Sequence, residues 1–205
     1  VLQATEARVI VVDHVMPPDS FRRLKQAASG VRIVWCRRGL WRAGRNADYL
    51  RMVEDFHAVV EPGDLASPID RGLTVLQRHA VKKVSPVVSV QPEEYVDRET
   101  ARRALGIPLE GRAILLQLSD SNRGRVTEQI SSIRKVLTTV AGDERIHLFA
   151  PVHPLHRVAD DRQDDGVLRA PVYPVARFFN AFDGAISLAG YNSFHELIVS
   201  GLPVV

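Results

Sequence analysis

The chain has 205 residues, enough for one large domain or two small ones, and its composition, 45% hydrophobic and 25% charged, excludes a disordered or low-complexity protein. A formal charge of +3 and an isoelectric point near 9.3 lean only weakly towards anionic partners. The lone Cys36 excludes an internal disulfide and, with no secretory signal at the start, points to a reducing, cytosolic compartment; no apolar run reaches the roughly 20 residues that cross a bilayer.

Short β-branched runs alternate with helical stretches, the pattern of parallel α/β sheets. The run RVIVVDH (8–14) is expected as a buried strand leading to a loop with Pro17 and Pro18. SFRRLKQAASG follows as a helix with Ser20 as N-cap and Gly30 as stop. VRIVWC (31–36) is the next strand, a helix is expected near 46–56, and HAVVEPGD (57–64) is a third strand closed by a Pro-Gly turn. Around Pro86 and Pro92 the rhythm restarts, which places a domain boundary near 86–95 and divides the chain into 1–88 and 89–205. Asp97 then caps a short helix ended by Gly106, and GRAILLQLSDSN is a strand running into a polar loop. Val126, Ile130, Ile133, Leu137 and Val140 recur at spacings of four, three, four and three, one apolar helix face over 126–140. IHLFA (146–150), VLRAPV (167–172) and GAISLAG (184–190) supply further strands, with the solvated loop ADDRQDDG between the first two. Val1 at the start, and Val204 and Val205 at the end like the opening of a buried strand, lead us to expect a piece of a longer protein.

The segment GAISLAGYNSFHELIVSGLPVV carries the chemistry. It puts Gly190 at the carboxyl end of a strand and starts a helix at once, and at that edge of an α/β sheet backbone N–H groups and the helix dipole favour an anion. Gly190 admits close approach, Asn192 and Ser193 add side-chain donors, and Glu196, one turn in, accepts hydrogen bonds from hydroxyls. A purely structural reading competes: Ser193 to Glu196 has the form of a capping box, with Phe194, Leu197, Ile198 and Gly201 as a core face and Gly201 and Pro203 as the helix stop.

FFNAFDGAISLAGYNSFHELIVSGLPVV (178–205) resembles the donor half of glycosyltransferases of the GT-B fold, especially the MurG-like transferases of N-acetylglucosamine, in which an aromatic-rich helix, aD.vIs.aG, a short turn and hE....G.P.v follow in this order. ARVIVVDH, RIVWCRRGLW, HAVVEPGD and VSPVVS resemble, more weakly, strands of the family's N-terminal domain and its crossover. The resemblance implies an α/β fold of two Rossmann-like parallel-sheet domains, both incomplete here: 1–88 as the last part of the acceptor domain and 89–205 as the first part of the donor domain. It gives Gly190, Asn192 and Ser193 the diphosphate and Glu196 the ribose hydroxyls. LSDSNRG stands in place of the family's glycine-rich donor loop; only Gly124 remains of the glycines, with Ser119, Ser121, Asn122 and Arg123 as replacement donors. Val172 and Tyr173 fall where relatives read the base, packing of a strand end on the core being the alternative. The family's general base comes from a glycine-rich loop that does not precede Arg8, so the catalytic residue is expected outside this chain.

The implied activity is metal-independent transfer of a hexose or N-acetylhexosamine from a nucleotide diphosphate sugar, with UDP the expected nucleotide, to an acceptor hydroxyl, without a cofactor. The implied partners are the nucleotide sugar and an acceptor, lipid-linked or small, and the implied location is cytoplasmic, compatible with peripheral contact at the inner face of the membrane. A nucleotide-sugar 2-epimerase or hydrolase of the same fold, and a non-catalytic nucleotide-sugar-binding homologue, remain as alternatives.

Other clusters point elsewhere less strongly. His153 and His156 are spaced for two imidazoles to converge, but Pro154 disfavours a helix and no third ligand comes before Asp160, so no metal is expected. His14 sits at a strand end, as an acceptor contact or an ordinary loop histidine. Arg37, Arg38, Arg42 and Arg45 form the densest basic cluster; Arg42 and Arg45 are expected in a solvated loop, while Arg37 and Arg38 are open to a phosphate or acidic acceptor. Only Trp35 and Trp41 flank it, too few interleaved aromatics for nucleic acid, and there is no nucleophile elbow or Walker-type loop.

Overall fold

The structure, a computed structural model, describes residues 6–14, 20–27, 30–118, 123–152, 154 and 165–205. The chain divides into two compact units, Val1–Val87 and Val88–Val205.

In the first unit, β1 (Val9–Asp13), β2 (Arg32–Cys36), β3 (Ala58–Pro62) and β4 (Lys82–Val84) pair in sequence order, every pair parallel. Helix α1 (Ser20–Ala27) connects β1 to β2, and Gly30 follows it at φ 96°. The core is built on rings: Trp35 is fully buried, with centroids 5.4 Å from Phe56 and 6.3 Å from Trp41, and its Nε1–H donates to His14 O at 2.8 Å. Val12, Ile33, Met52 and Val59 fill the space around them.

Three expectations for this unit change. The strand β1 is not buried throughout: it lies at the edge of the described sheet, with Val12 inside and Val9 and Val11 exposed. The helix near 46–56 is a single turn, α2 (Ala47–Leu50), that tightens into a 3-10 segment over Arg51–Asp55. Strand β4 has no hydrophobic signature at all, because all three of its residues are exposed and two are lysines, which suits an edge strand.

In the second unit, β5 (Arg112–Gln117), β6 (Ile146–Val152), β7 (Val167–Pro171) and β8 (Gly184–Ser187) form a parallel sheet in the order β7-β6-β5-β8. A parallel bridge between Ala185 and Val204 continues it, with Val205 N–H donating to Ala185 O and Ser187 N–H to Val205 O. Helix α3 (Arg98–Leu105) starts at Asp97, whose carboxylate accepts from the Thr100 N–H at 3.0 Å; that bond holds the carboxyl below the usual carboxylate range. It ends at Gly106 in the left-handed conformation, φ 69°.

Helix α4 (Arg123–Ala141) lays Val126, Ile130, Ile133 and Leu137 against Leu116, Leu148 and Val167. Val140, the last residue of the expected face, is 79% exposed instead. The opposite side of the sheet carries the larger core, with Leu115, Phe149, Phe179 and Leu197 buried together. The aromatic stretch Val175–Ala181 is a 3-10 segment broken at Phe178, and α5 (Tyr191–Ser200) completes the unit.

Candidate functional site

Chain order and sheet order disagree at one place. After β5 the chain proceeds through β6 to β7 on one side, then returns to lay β8 on the other side of β5. Helix α4, which follows β5, packs with Leu116 and Leu148 on one face of the sheet, and α5, which follows β8, packs with Leu115 and Phe149 on the other, the switch-point arrangement at which open α/β sheets bind ligands. The described strands of the first unit run in sequence order with no such reversal.

Gln117 and Ser187 are register partners at the two strand ends, and they set the turn into α5. Leu188 N–H donates to Gln117 O at 3.3 Å, and Ala189 N–H donates to Ser187 Oγ at 3.2 Å. Gln117 Oε1 is buried without a partner among the described residues. The chain makes the turn with Ala189 in the left-handed region, φ 52°. That conformation costs a residue with a Cβ about 1–2 kcal/mol, against the ~0.5–1 kcal/mol of backbone entropy that a glycine adds to the unfolded chain. Ala189→Gly is thus expected to raise the thermal midpoint, and a melt in which it falls would show that the turn is not strained.

Gly190 is the N-cap of α5, with no side-chain cap, and Phe194 N–H closes the first intrahelical bond to Gly190 O at 2.8 Å. The amides of the first turn have no intrahelical acceptors by construction. Gly190 is exposed, and a Cβ built on it meets no atom of the described residues within 4 Å, so among these the space beside the helix tip is open. Asn192 is exposed and Ser193 half-buried, and neither side chain makes a hydrogen bond among the described residues. The capping box expected from Ser193 and Glu196 does not form, since the helix begins two residues before Ser193 and its cap is a glycine.

Glu196 turns instead to the start of the same unit. Its Oε1 accepts from the Ser89 hydroxyl at 2.5 Å and from the Ser89 N–H at 3.3 Å. Burial pushes the Tyr95 phenol up, and the Glu196 carboxylate close by adds to the effect. The inner face of α5 also differs from expectation: Leu197 is fully buried, Ile198 is 44% exposed, and His195 takes the inward place, fully buried, its Nδ1–H donating to Tyr191 O at 2.7 Å.

Of the β5 loop, Ser119, Ser121 and Asn122 lie outside the described residues, as do His153 and His156; Arg123 and Gly124 are the first residues of α4, so that loop ends sooner than expected. The helix therefore opens at the carboxyl end of β5 as α5 does at β8. Val172 packs partly on the core, and its N–H donates to Val152 O at 3.0 Å; Tyr173 is 71% exposed. Among the described residues no group of three or more His, Cys, Asp or Glu is placed to hold a metal ion.

In the first unit, Arg42 and Arg45 are solvent-exposed, as expected of a loop. Arg38 is about one-third exposed, 3.7 Å from Asp13, whereas Arg37 is fully buried against Glu61. Sequence reasoning missed Ser89 and the buried Arg102 altogether. Nothing local marks either: Ser89 meets Glu196 across 107 residues, and Arg102 stands in RETARRAL like any solvated helix arginine.

Among solved structures, the chain is similar to the sucrose-phosphate synthase from Thermosynechococcus elongatus, with a TM-score of 0.54 and 12% sequence identity. The match covers 99% of this chain and 56% of that one, so the chain spans little more than half the length of its neighbour. No family model and no curated protein matches. The likeness shows the fold: an α/β architecture of two Rossmann-like parallel sheets, consistent with part of a GT-B enzyme.

Proposed function

We propose that this chain is the nucleotide-sugar-binding portion of a glycosyltransferase that moves a hexose or N-acetylhexosamine from a nucleotide diphosphate, UDP by expectation, to an acceptor hydroxyl. One observation carries the reading: a ten-residue helix without a side-chain cap starts at the switch point of a parallel sheet, with open space at Gly190 among the described residues and a carboxylate on its second turn. The GT-B likeness agrees with it, and the order of motifs in 178–205 supports the finer, MurG-like assignment.

In this reading the diphosphate lies against the first-turn amides of α5, which stabilise the charge that grows on it as the sugar leaves. Those donors are fixed before the reaction and do the work a metal ion performs in other transferases. Glu196 receives the ribose hydroxyls. Among the described residues no helix is long and apolar enough to cross a membrane, and the mild positive charge is compatible with contact at an anionic membrane surface, where a lipid-linked acceptor would be met.

Calorimetric titration with UDP tests the reading. Glu196→Ala is expected to weaken UDP binding by about 1.5–3 kcal/mol, roughly ten- to a hundredfold, as for hydrogen bonds to a charged group. Unchanged affinity with a lower melting temperature would reduce Glu196 to a structural partner of Ser89. Incubation with UDP-N-acetylglucosamine in the absence of acceptor should leave the donor intact, whereas conversion would favour the epimerase or hydrolase.

A further inference from the structure

Glu196 has two carboxylate oxygens, and the structure uses them unequally. Oε1 accepts both donors of Ser89, its hydroxyl at 2.5 Å and its N–H at 3.3 Å, while Oε2 has no hydrogen bond among the described residues. We propose that Ser89 is a positioning residue for nucleotide binding: it anchors Oε1 so that Oε2 is presented to a ribose hydroxyl. The proposal rests on the nucleotide reading above and adds a residue from the opposite end of the same unit.

A glutamate on a helix surface has three side-chain torsions to order before it can grip a ligand. A carboxylate already held by two hydrogen bonds has lost that freedom in advance, so the ligand binds more tightly for the same contacts. Ser89 is itself held in place. The next residue, Val90, is buried in the core shared with Leu115 and Leu197, and the following turn is closed by Gln91 N–H donating to Glu94 Oε2 at 2.9 Å. Leu197 follows Glu196 in α5, so both partners hang from one apolar cluster within one unit. Ser89 occupies one carboxylate oxygen and leaves the other without a hydrogen bond among the described residues.

The test begins with titration of wild-type protein with UDP, ADP and GDP. The tightest binder is then titrated into Ser89→Ala, Ser89→Thr, Glu196→Ala and the Ser89→Ala/Glu196→Ala double variant, and its 2′-deoxy counterpart into wild type and Ser89→Ala. Loss of the serine hydroxyl should weaken binding about three- to tenfold, the weight of one ordinary hydrogen bond, and threonine should restore it. The loss should vanish in the Glu196→Ala background and shrink with the 2′-deoxy nucleotide, which a general loss of stability would not produce. If Ser89→Ala binds as wild type does while Glu196→Ala is weak, Ser89 has no positioning role and the nucleotide reading survives. Tighter binding by Ser89→Ala, or a penalty that persists without Glu196, overturns the positioning role too. Should wild type bind none of the three nucleotides, both readings fall together.

Discussion

Arg102→Met is expected to lower the unfolding free energy by about 4 kcal/mol or more, one of the largest effects of any single substitution in the second unit. The guanidinium is 1% exposed and serves five acceptors: Nε–H donates to Ala181 O at 3.0 Å, Nη2–H to Asp183 Oδ2 at 3.0 Å, and Nη1 to the carbonyls of Pro108, Leu109 and Gly111 at 2.8–3.0 Å. Four of these are backbone carbonyls on segments that follow α3 or precede β8. Methionine keeps the volume of the stem and removes every donor, so each carbonyl that water cannot reach is left unsatisfied at about 1–3 kcal/mol. Asp183 loses less, because Arg98 and the Ala113 N–H still reach it at 2.8 Å. Arg102→Lys keeps the charge but has no planar fork for acceptors on several sides, and should fall between. Urea unfolding of the three proteins checks the order; a methionine variant within 1 kcal/mol of wild type would mean that these loops are satisfied by other donors.

This residue also shows where sequence reasoning stops. Strands β2, β3, β5, β6 and β8 are legible because parallel strands are covered on both faces and so carry continuous apolar runs, as in RIVWC and RAILLQ. The alternation of such runs with helices, together with the motif in 178–205, is enough for the α/β class and the GT-B fold. What escaped is whatever depends on a distant partner. An exposed edge of three residues, β4, exists because β3 offers a ladder, and no pattern in KKV announces it. The helix start directly after Gly190 is legible in the sequence, but that Glu196 finds Ser89 rather than its own backbone is not. Spacing gives the residue types of the candidate site, but the orientation of its carboxylate comes from tertiary pairing.

Glu61→Ala should cost about 3–5 kcal/mol, because it strands a positive charge that the fold has taken fully out of water. Arg37 follows β2 and is 0% exposed; Nη2 donates to Glu61 Oε2 at 3.0 Å, Nη1 to Gln77 Oε1 at 3.1 Å, and the guanidinium carbon lies 5.7 Å from the centroid of Trp35. Nε has no partner among the described residues, so the arginine is not fully satisfied even with Glu61 in place. Such a pair is costly to break and of small net benefit to keep, since desolvating two ions roughly cancels their attraction. It follows that Arg37→Met combined with Glu61→Leu should be close to wild type or more stable, by as much as about 1–4 kcal/mol, while either charge alone is damaging. Equilibrium unfolding of the two singles and the double gives the coupling directly. A double variant as unstable as the worse single would contradict the pairing, while the complete burial of Arg37 against Trp35 and Glu61 leaves it no approach to an anionic acceptor in either case.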